Sequence, residues 1–480
     1  MLYNSWSFAV FFLVVFVIYW LLPHKCRWVM LLVSNYYFYM RWSIKWGLLL
    51  LAVTAASYLM ALLIQKTDSL VSRKVFLIMF LLGVLGLLFF VKYVDFLGDS
   101  IEKLFNLLTV PISVSRFNIV FPIGLSFYSF QAISYVVDVY RKKIKAECHF
   151  GRFAVYVSFF ATITSGPIER ADSFLPQLQK RRIFQYEQAA YGLKLIVWGL
   201  FQKMLADILA GYVDKVFESP KSYQGFALVL AVVFFTFQIY CDFSGYSNMS
   251  IGLAKLLGFD LITNFKSPYF SVSIREFWRR WHISLSSWFR DYVYIPLGGN
   301  RVGKSRQKIN LLITFVVSGL WHGANWTYIF WGGLHGIAQV IEKMADNHFK
   351  NKNIGWRRVL AGFLVFAFCS FAWIFFRAAS LSEAFYIIRH LFDGISMPGN
   401  YLLSGFRSIG LGKRLFFIYV ILLCIVGLFD WGNFKGDTIY KISRFPVVAR
   451  WVIYVLFTEI LILGYCTLTI NTGNFLYFQF

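Results

Sequence analysis

Acidic residues are scarce in this 480-residue chain: 23 Asp and Glu stand against 47 Lys and Arg, a formal net charge of +24. Cysteines are few as well. The six (26, 148, 241, 369, 424 and 466) show no C-x-x-C spacing, so neither a metal site nor a disulfide framework is expected. There is no glycine-rich phosphate loop and no dinucleotide fingerprint, and no bound cofactor is expected. No internal repeat is visible, which weighs against a secondary transporter. No loop is long enough to fold as a soluble domain, so a single integral membrane domain is expected over residues 1–480. The first apolar run follows MLYNSW, which carries no positive charge, and no small-residue cleavage site follows it; it reads as a retained first helix.

What the chain does have is apolar surface. It is 59% hydrophobic and 20% aromatic, with 54 Phe and 16 Trp, and its mean hydropathy is +0.62. A water-excluded core cannot absorb that many large apolar side chains. Candidate spans lie near 7–22, 28–42, 46–64, 75–94, 117–137, 152–166, 188–210, 225–243, 309–321, 325–343, 357–376, 414–430 and 450–471. Allowing for re-entrant or short pieces among them, about 11 crossings of a ~30 Å hydrocarbon layer are expected. Long unbroken runs such as FAVFFLVVFVIYWLL (8–22) exclude a transmembrane barrel. The fold class is therefore all-α, polytopic and membrane-integral. Basic clusters fall in short loops (RKKIK 141–145, KRR 180–182), as expected of a cytoplasmic face against anionic lipid and not of a nucleic-acid binder. The charge asymmetry places the N-terminus outside.

Residues 265–308 contain no spanning run. Here Trp278, Trp281 and Trp288 interleave with Arg279, Arg280 and Arg290, a pattern expected of in-plane or re-entrant segments anchored at the membrane surface. His282 does not fit a simple anchor.

There are seven histidines. His24, His149, His348 and His390 sit in polar surroundings and read as solvated. His322 and His335 lie within apolar runs, where an ionisable side chain is costly and so a functional candidate. On one continuous helix their separation corresponds to a rotation of about 220°, so they would face apart unless the helix breaks at GANW. In SGLWHGANW (318–326), Gly319 and Gly323 permit close approach by a helix or ligand. Trp321 and Trp326 supply bulk, and Asn325 a polar partner. A buried neutral imidazole suits a general base. Two further polar clusters stand in apolar context and could line a cavity or merely cap helices. QIYCDFSGYSNMS (238–250) groups Gln238, Asp242, Ser244, Tyr246 and Ser247, and SGPIERAD (165–172) supplies Glu169 and Arg170. LGDSIEKL (97–104) lacks the setting of an esterase block, and NMS and NWT lie in or beside apolar segments.

Six blocks together resemble the membrane-bound O-acyltransferase (MBOAT) superfamily, in its bacterial alginate and peptidoglycan O-acetyltransferase-like branch. They are FPIGLSFYSFQAISYVVDVYR (121–141), SGPIER (165–170), QIYCDFSGYSNMSIGLAKLLGF (238–259), REFWRRWHISLSSWFRDYVYIPLGGNR (275–301), GLWHGANWTYIFWGGLHG (319–336) and WIFFRA (373–378). The resemblance implies helices around a central tunnel. It maps the near-invariant histidine onto His322 and the second active-site position onto His282, 40 residues upstream. The implied reaction moves an acetyl group from cytoplasmic acetyl-CoA, or another acyl thioester, to an extracytoplasmic hydroxyl. In that picture His322 is the base or a transient acceptor, and His282 orients the thioester or donates to the oxyanion. Arg279 and Arg280 attract the CoA phosphates, while Trp281 and Trp321 join Gln238, Asp242, Tyr246 and Asn325 along the tunnel. Implied partners are membrane lipid, a separate SGNH-hydrolase-like acetyltransferase outside the cell, and a polysaccharide acceptor; the implied location is a bacterial cytoplasmic membrane. A D-alanyl or longer-chain acyltransferase, or a transporter or flippase, are the alternatives.

Overall fold

The computed structural model describes residues 1–345 and 355–467, and all regular structure among them is helical. His348, expected in a polar linker, lies outside the described residues, as does the end of the expected 450–471 span. The chain forms two compact units, Met1–Ile196 with Ser250–Ile262, and Val197–Met249 with Thr263 onward.

The first unit holds α1 (Trp6–Leu21), α2 (His24–Met40), α3 (Ile44–Lys66), α4 (Leu70–Leu107), α5 (Leu125–Tyr140), α6 (Phe150–Ser158) and α7 (Ala171–Gln179). It also takes the start of α8 (Tyr186–Phe217) and the end of α9 (Phe226–Leu256). The second unit takes the remainder of α8 and α9, then α10 (Ile274–Arg280), α11 (Ile283–Phe289), α12 (Lys304–His322), α13 (Trp326–Ala345) and α14 (Gly355–Arg377). After these come α15 (Leu381–His390), α16 (Pro398–Ile409), α17 (Lys413–Phe434), α18 (Thr438–Ser443) and α19 (Val447–Thr467).

Among the described residues six helices are long and apolar enough to cross a bilayer: α3, α4, α9, α14, α17 and the Val447–Cys466 part of α19. The protein is thus a multi-pass membrane protein. α9 is largely enclosed by protein, whereas α17 and α19 turn Leu428, Trp451 and Leu463 outward, the surface hydrocarbon requires. The remaining long helices, α8, α12 and α13, carry inward-facing polar groups that lower their apolarity.

Several boundaries differ from the sequence expectation. α4 runs for 38 residues, about 57 Å at 1.5 Å per residue, beyond the expected 75–94. Its charged last turns carry Asp95 and Asp99, which accept from the backbone N–H groups of Phe117 and Asn118 and from Arg116. Residues 110–122 accordingly carry no regular structure, and the expected 117–137 span becomes a helix only at Leu125. Gly124 opens that helix at φ +76°, and a Cβ there would run into the Ile163 carbonyl. The expected 152–166 span ends as a helix at Ser158 and turns back inside the unit. Asn35 satisfies that buried turn, accepting from Phe160 N at 3.0 Å and donating to Ser158 Oγ at 3.2 Å, while Tyr3 donates to Phe160 O at 2.8 Å.

The 265–308 stretch does lack a spanning helix; it forms α10, α11 and a five-residue π turn at Arg290–Tyr294. Its tryptophans are not surface anchors, however. Trp278, Trp281 and Trp288 are all buried in protein. Apolar side chains on short segments can be absorbed by core as readily as by lipid, and here core wins.

Candidate active site

Histidine 322 is the last residue of α12, and the chain breaks immediately after it. Gly323 is extended, and α13 begins at Trp326 and packs back along α12. Contact is close because a Cβ on Gly319 would strike the Tyr328 carbonyl, and one on Gly323 would strike the Tyr328 ring. The space opened by these glycines is filled by α13 itself. Along α12 the buried polar residues are Asn310, Thr314, Ser318 and His322, each four after the last; along α13 they are Thr327, His335 and Gln339. Both stripes face inward on successive turns.

The imidazole of His322 is 5% exposed. It meets Trp331 edge-on at 5.1 Å between ring centres and Phe376 of α14 at 5.2 Å. His335, one turn after Trp331 on α13, lies 5.1 Å from the same indole between ring centres, so after the break both histidines meet Trp331 and the opposed directions of a continuous helix do not apply. Trp373 stacks on Trp331 at 5.5 Å, and Trp281 lies against Trp373 at 5.1 Å. His335 is fully buried among Phe277, Trp278, Phe315 and Phe368, and its Nδ1 accepts from Trp278 Nε1 at 3.2 Å.

Histidine 282 reaches the same neighbourhood from a different element. Its backbone adopts φ +44°, the left-handed region, at the N-terminus of α11. That conformation is held by Ile283 N donating to Asn264 O at 2.9 Å and Lys266 N donating to Arg280 O at 3.0 Å. The ring lies 3.4 Å, through Nδ1, from Asn264 Oδ1, which also accepts from Ser284 Oγ at 2.7 Å. Ser284 N, which can only donate, also reaches Asn264 Oδ1 at 3.3 Å, fixing which way the amide points, and Asn264 Nδ2 donates to Ser247 Oγ at 3.2 Å. An acceptor at Nδ1 puts the proton on that nitrogen and leaves Nε2 with its lone pair. His282 lies outside the spanning helices, and complete burial pushes its imidazole down to about 3, so it is neutral. Trp321 joins the two histidines, its ring centre 6.3 Å from His282 and 4.9 Å from His322. Phe243 closes the other side of His282 at 4.6 Å.

A cavity of about 570 Å³ adjoins this box. Arg275, Arg279, Arg290 and Lys343 line it with Trp278 and with Ser318, one turn before His322; no carboxylate is among its lining residues. Arg280 points elsewhere: it pairs with Glu276 at 2.9 Å, donates to Lys266 O and covers the Phe434 ring. The two adjacent arginines expected to act together are thus divided between a cavity and a local ion pair.

Other expected tunnel residues hold structure together. Asn325 accepts from Thr327 N at 3.0 Å and donates to Ala379 O at 2.9 Å, tying the start of α13 to the chain after α14. Trp326, expected to add bulk, is exposed. Asp242 joins Lys203 Nζ at 2.8 Å, with Asp207 at 2.5 Å on the same ammonium and the Tyr246 ring 5.9 Å away. Gln238 is buried, and its Oε1 has no hydrogen-bond partner among the described residues. In the first unit Glu169 accepts from Ile262 N at 2.7 Å and Ser173 Oγ at 3.3 Å, and burial pushes its carboxyl up to about 7. His149 caps α6, accepting from Arg152 N, and His390 lies 2.8 Å from Tyr386 O; both are half-buried, not freely solvated. Asn264 and Lys203 were not anticipated. A lone loop amide gives no periodic signal, but a lysine inside the 188–210 run demanded a counter-ion.

The model of the membrane-bound O-acyltransferase family (MBOAT) matches residues 34–382. A probable alginate O-acetylase of Azotobacter vinelandii is 38% identical over 400 residues, covering 82% of this chain and 78% of the relative. The peptidoglycan O-acetyltransferase of Helicobacter pylori is 33% identical over 396 residues, 76% of this chain and 74% of the relative. A teichoic acid D-alanyltransferase of Streptococcus thermophilus is 34% identical over 236 residues, 46% of this chain and 56% of the relative.

Proposed function

The chain belongs to the membrane-bound O-acyltransferase family and is an O-acyltransferase, and from that premise we propose that it moves an acetyl group from acetyl-CoA to a hydroxyl presented from the outer face of a bacterial cytoplasmic membrane. The observation that carries this reading is the junction of a cation-lined cavity with a buried imidazole: Ser318 lines the cavity and His322 follows one turn later on α12. Coenzyme A carries a diphosphate and a 3′-phosphate, which Lys343 suits by charge and Arg275 and Arg279 by charge and fork geometry, while Arg290 shares its guanidinium with Asp291 at 2.8 Å. The acetyl choice is supported by O-acetyltransferase relatives that align with most of the chain, where teichoic acid D-alanyltransferases align with about half.

In this mechanism His322 takes the proton of the acceptor hydroxyl as its oxygen bonds to the thioester carbonyl carbon. Collapse of the tetrahedral species breaks the carbon–sulfur bond, and the departing thiolate receives the proton from the imidazolium. With Nδ1–H engaged by Asn264, the Nε2 lone pair of His282 suits accepting and orienting a hydroxyl, not donating to an oxyanion. The acceptor is a polysaccharide hydroxyl, reached directly or through a separate SGNH-hydrolase-like acetyltransferase. The N-terminus is placed outside, opposite the basic loops.

The test is transfer or hydrolysis of radiolabelled acetyl-CoA by the full-length protein purified in detergent. Wild type turns over the label, and a folded His322→Ala variant loses at least ~100-fold, the scale of a positioned base. Near-wild-type turnover by that variant overturns the assignment. A transporter would show no chemistry on the thioester, and D-alanyl or long-chain donors processed faster than acetyl-CoA would overturn the acetyl choice.

A further inference from the structure

The hydrogen bonds around the histidines assign opposite tautomers to His282 and His335, and the consequence falls on the developing oxyanion. His335 Nδ1 accepts from Trp278 Nε1, so its proton is on Nε2. That Nε2–H is completely buried and has no acceptor among the described residues, and the same is true of the Trp331 Nε1–H. The two rings lie 5.1 Å apart, one helical turn from each other on α13, and Trp331 is also the ring against which His322 packs edge-on. Unsatisfied N–H donors in one aromatic box, where the Trp373 Nε1–H also lacks an acceptor among the described residues, cost on the order of 1–3 kcal/mol each unless an acceptor reaches them. Trp278 and Phe315, which pack against His335, are also walls of the basic cavity, so that cavity ends one side-chain layer from both donors.

We propose that Trp331 and His335 form a two-donor site for a carbonyl oxygen, and that its occupant is the acyl carbonyl of the donor thioester held beside His322. This rests on the reading of His322 as the base. As the hydroxyl oxygen bonds to the carbonyl carbon, the π electrons move to the carbonyl oxygen, where Trp331 Nε1–H and His335 Nε2–H meet the new negative charge. Collapse returns those electrons to the C=O bond and expels the thiolate. Neither donor gives up its proton; they bind the oxygen and stabilise its charge, in a site where water would otherwise compete. His282, presenting a lone pair, is not available for that task.

The decisive variant is Trp331→Phe, which keeps an aromatic ring against His322 and removes the N–H. Isotope-edited infrared spectroscopy of full-length protein with [1-¹³C]acetyl-CoA reads the carbonyl directly and needs no acceptor. Wild type is expected to shift the bound carbonyl stretch to lower frequency, and Trp331→Phe to lose most of that shift at saturating ligand. In turnover the same variant loses on the order of 100-fold in kcat with little change in KM, the scale of one oxyanion donor. His335→Gln, which keeps an N–H donor, retains more activity than His335→Phe. An unshifted carbonyl in wild type, or a Trp331→Phe protein that melts at lower temperature with kcat intact, overturns the proposal and leaves the pair as the site of a structural water. Where Trp331→Phe does not fold, benzothienylalanine at 331, which exchanges only the N–H for sulfur, supplies the same comparison. The carbonyl shift does not depend on a base, so failure of His322 as base and failure of this donor pair are separately visible.

Discussion

Replacing Lys203 with Met should destabilise the second unit more than any other single charge removal. Lys203 is 1% exposed, and its ammonium lies 2.5 Å from Asp207 and 2.8 Å from Asp242. Taking one partner from a buried ion pair costs on the order of 3–5 kcal/mol, because the remaining charge is left without compensation. Here two carboxylates share one ammonium, so Lys203→Met strands both, and the loss belongs at the top of that range or above it. The neighbouring Gln202, Ser244 and Asn248 bond among themselves and offer the carboxylates no replacement cation. The charge count also predicts an order: Asp207→Asn leaves a matched one-to-one pair and should be nearly neutral. The combination Lys203→Met, Asp207→Asn, Asp242→Asn should recover most of the loss, since no buried charge remains. Thermal unfolding of detergent-purified protein, followed by tryptophan fluorescence and by monodispersity on gel filtration, measures all three. Lys203→Met melting within about a degree of wild type, or Asp207→Asn proving the more damaging, would refute the reasoning.

The cavity predicts a split between adjacent arginines. Arg279→Gln should raise KM for acetyl-CoA about tenfold or more, the worth of one charged hydrogen bond, with kcat held, whereas Arg280→Gln leaves KM within about twofold. Equal effects of the two would remove the phosphate role. A general base implies that log(kcat/KM) falls as pH drops, and His282, with its imidazole down at about 3, contributes nothing above pH 5. The limiting slope on the acid side should therefore be one; a slope of two would mean that both histidines titrate. Gly319→Ala places a Cβ against the Tyr328 carbonyl, so melting temperature and transfer should fall together by an amount corresponding to about 1–3 kcal/mol; an unaffected variant would show that α12 and α13 are not packed as described.

The membrane class and the position of His322 were legible because both rest on strong signals: apolar runs of the right length, and a titratable group inside one of them. His282 was visible only as an oddity among Trp and Arg, since what fixes it is Asn264, a single amide 18 residues earlier that leaves no pattern. The tryptophans of 265–308 were misread for a physical reason. A sequence shows that a side chain is apolar but not whether protein or lipid covers it, and Trp278 is covered by His335 and Trp331. Residues 159–166 defeated the length rule because the run is apolar enough to span, yet Asn35 and Tyr3, distant in sequence, satisfy a turn there. Arg279 and Arg280 separated because consecutive residues on a short helix point about 100° apart, so adjacency in sequence argued against, not for, a shared role. Lys203 is the instructive omission: an ammonium amid apolar residues carries the same signal as His322, and heeding it would have assigned Asp207, four residues on along the same helix, as a counter-ion.

Three buried histidines in one unit invite treatment as a set, yet their chemistry is divided by what touches the nitrogen away from the reaction. An imidazole bonded to a carbonyl-type oxygen, as His282 is to Asn264, keeps that proton and offers a lone pair; one bonded to an indole N–H, as His335 is to Trp278, offers a proton. Acyl transfer needs both kinds of group at once, an acceptor for the hydroxyl proton on one side of the carbonyl and donors for its oxygen on the other. Trp321 joins His282 to His322, and Trp331 joins His322 to His335, so the order along the site is acceptor, base, donor. Exchanging Asn264 for Leu would release the His282 tautomer without altering charge, and the division of roles requires that this change lower kcat while leaving the carbonyl stretch of bound acetyl-CoA where it is in wild type.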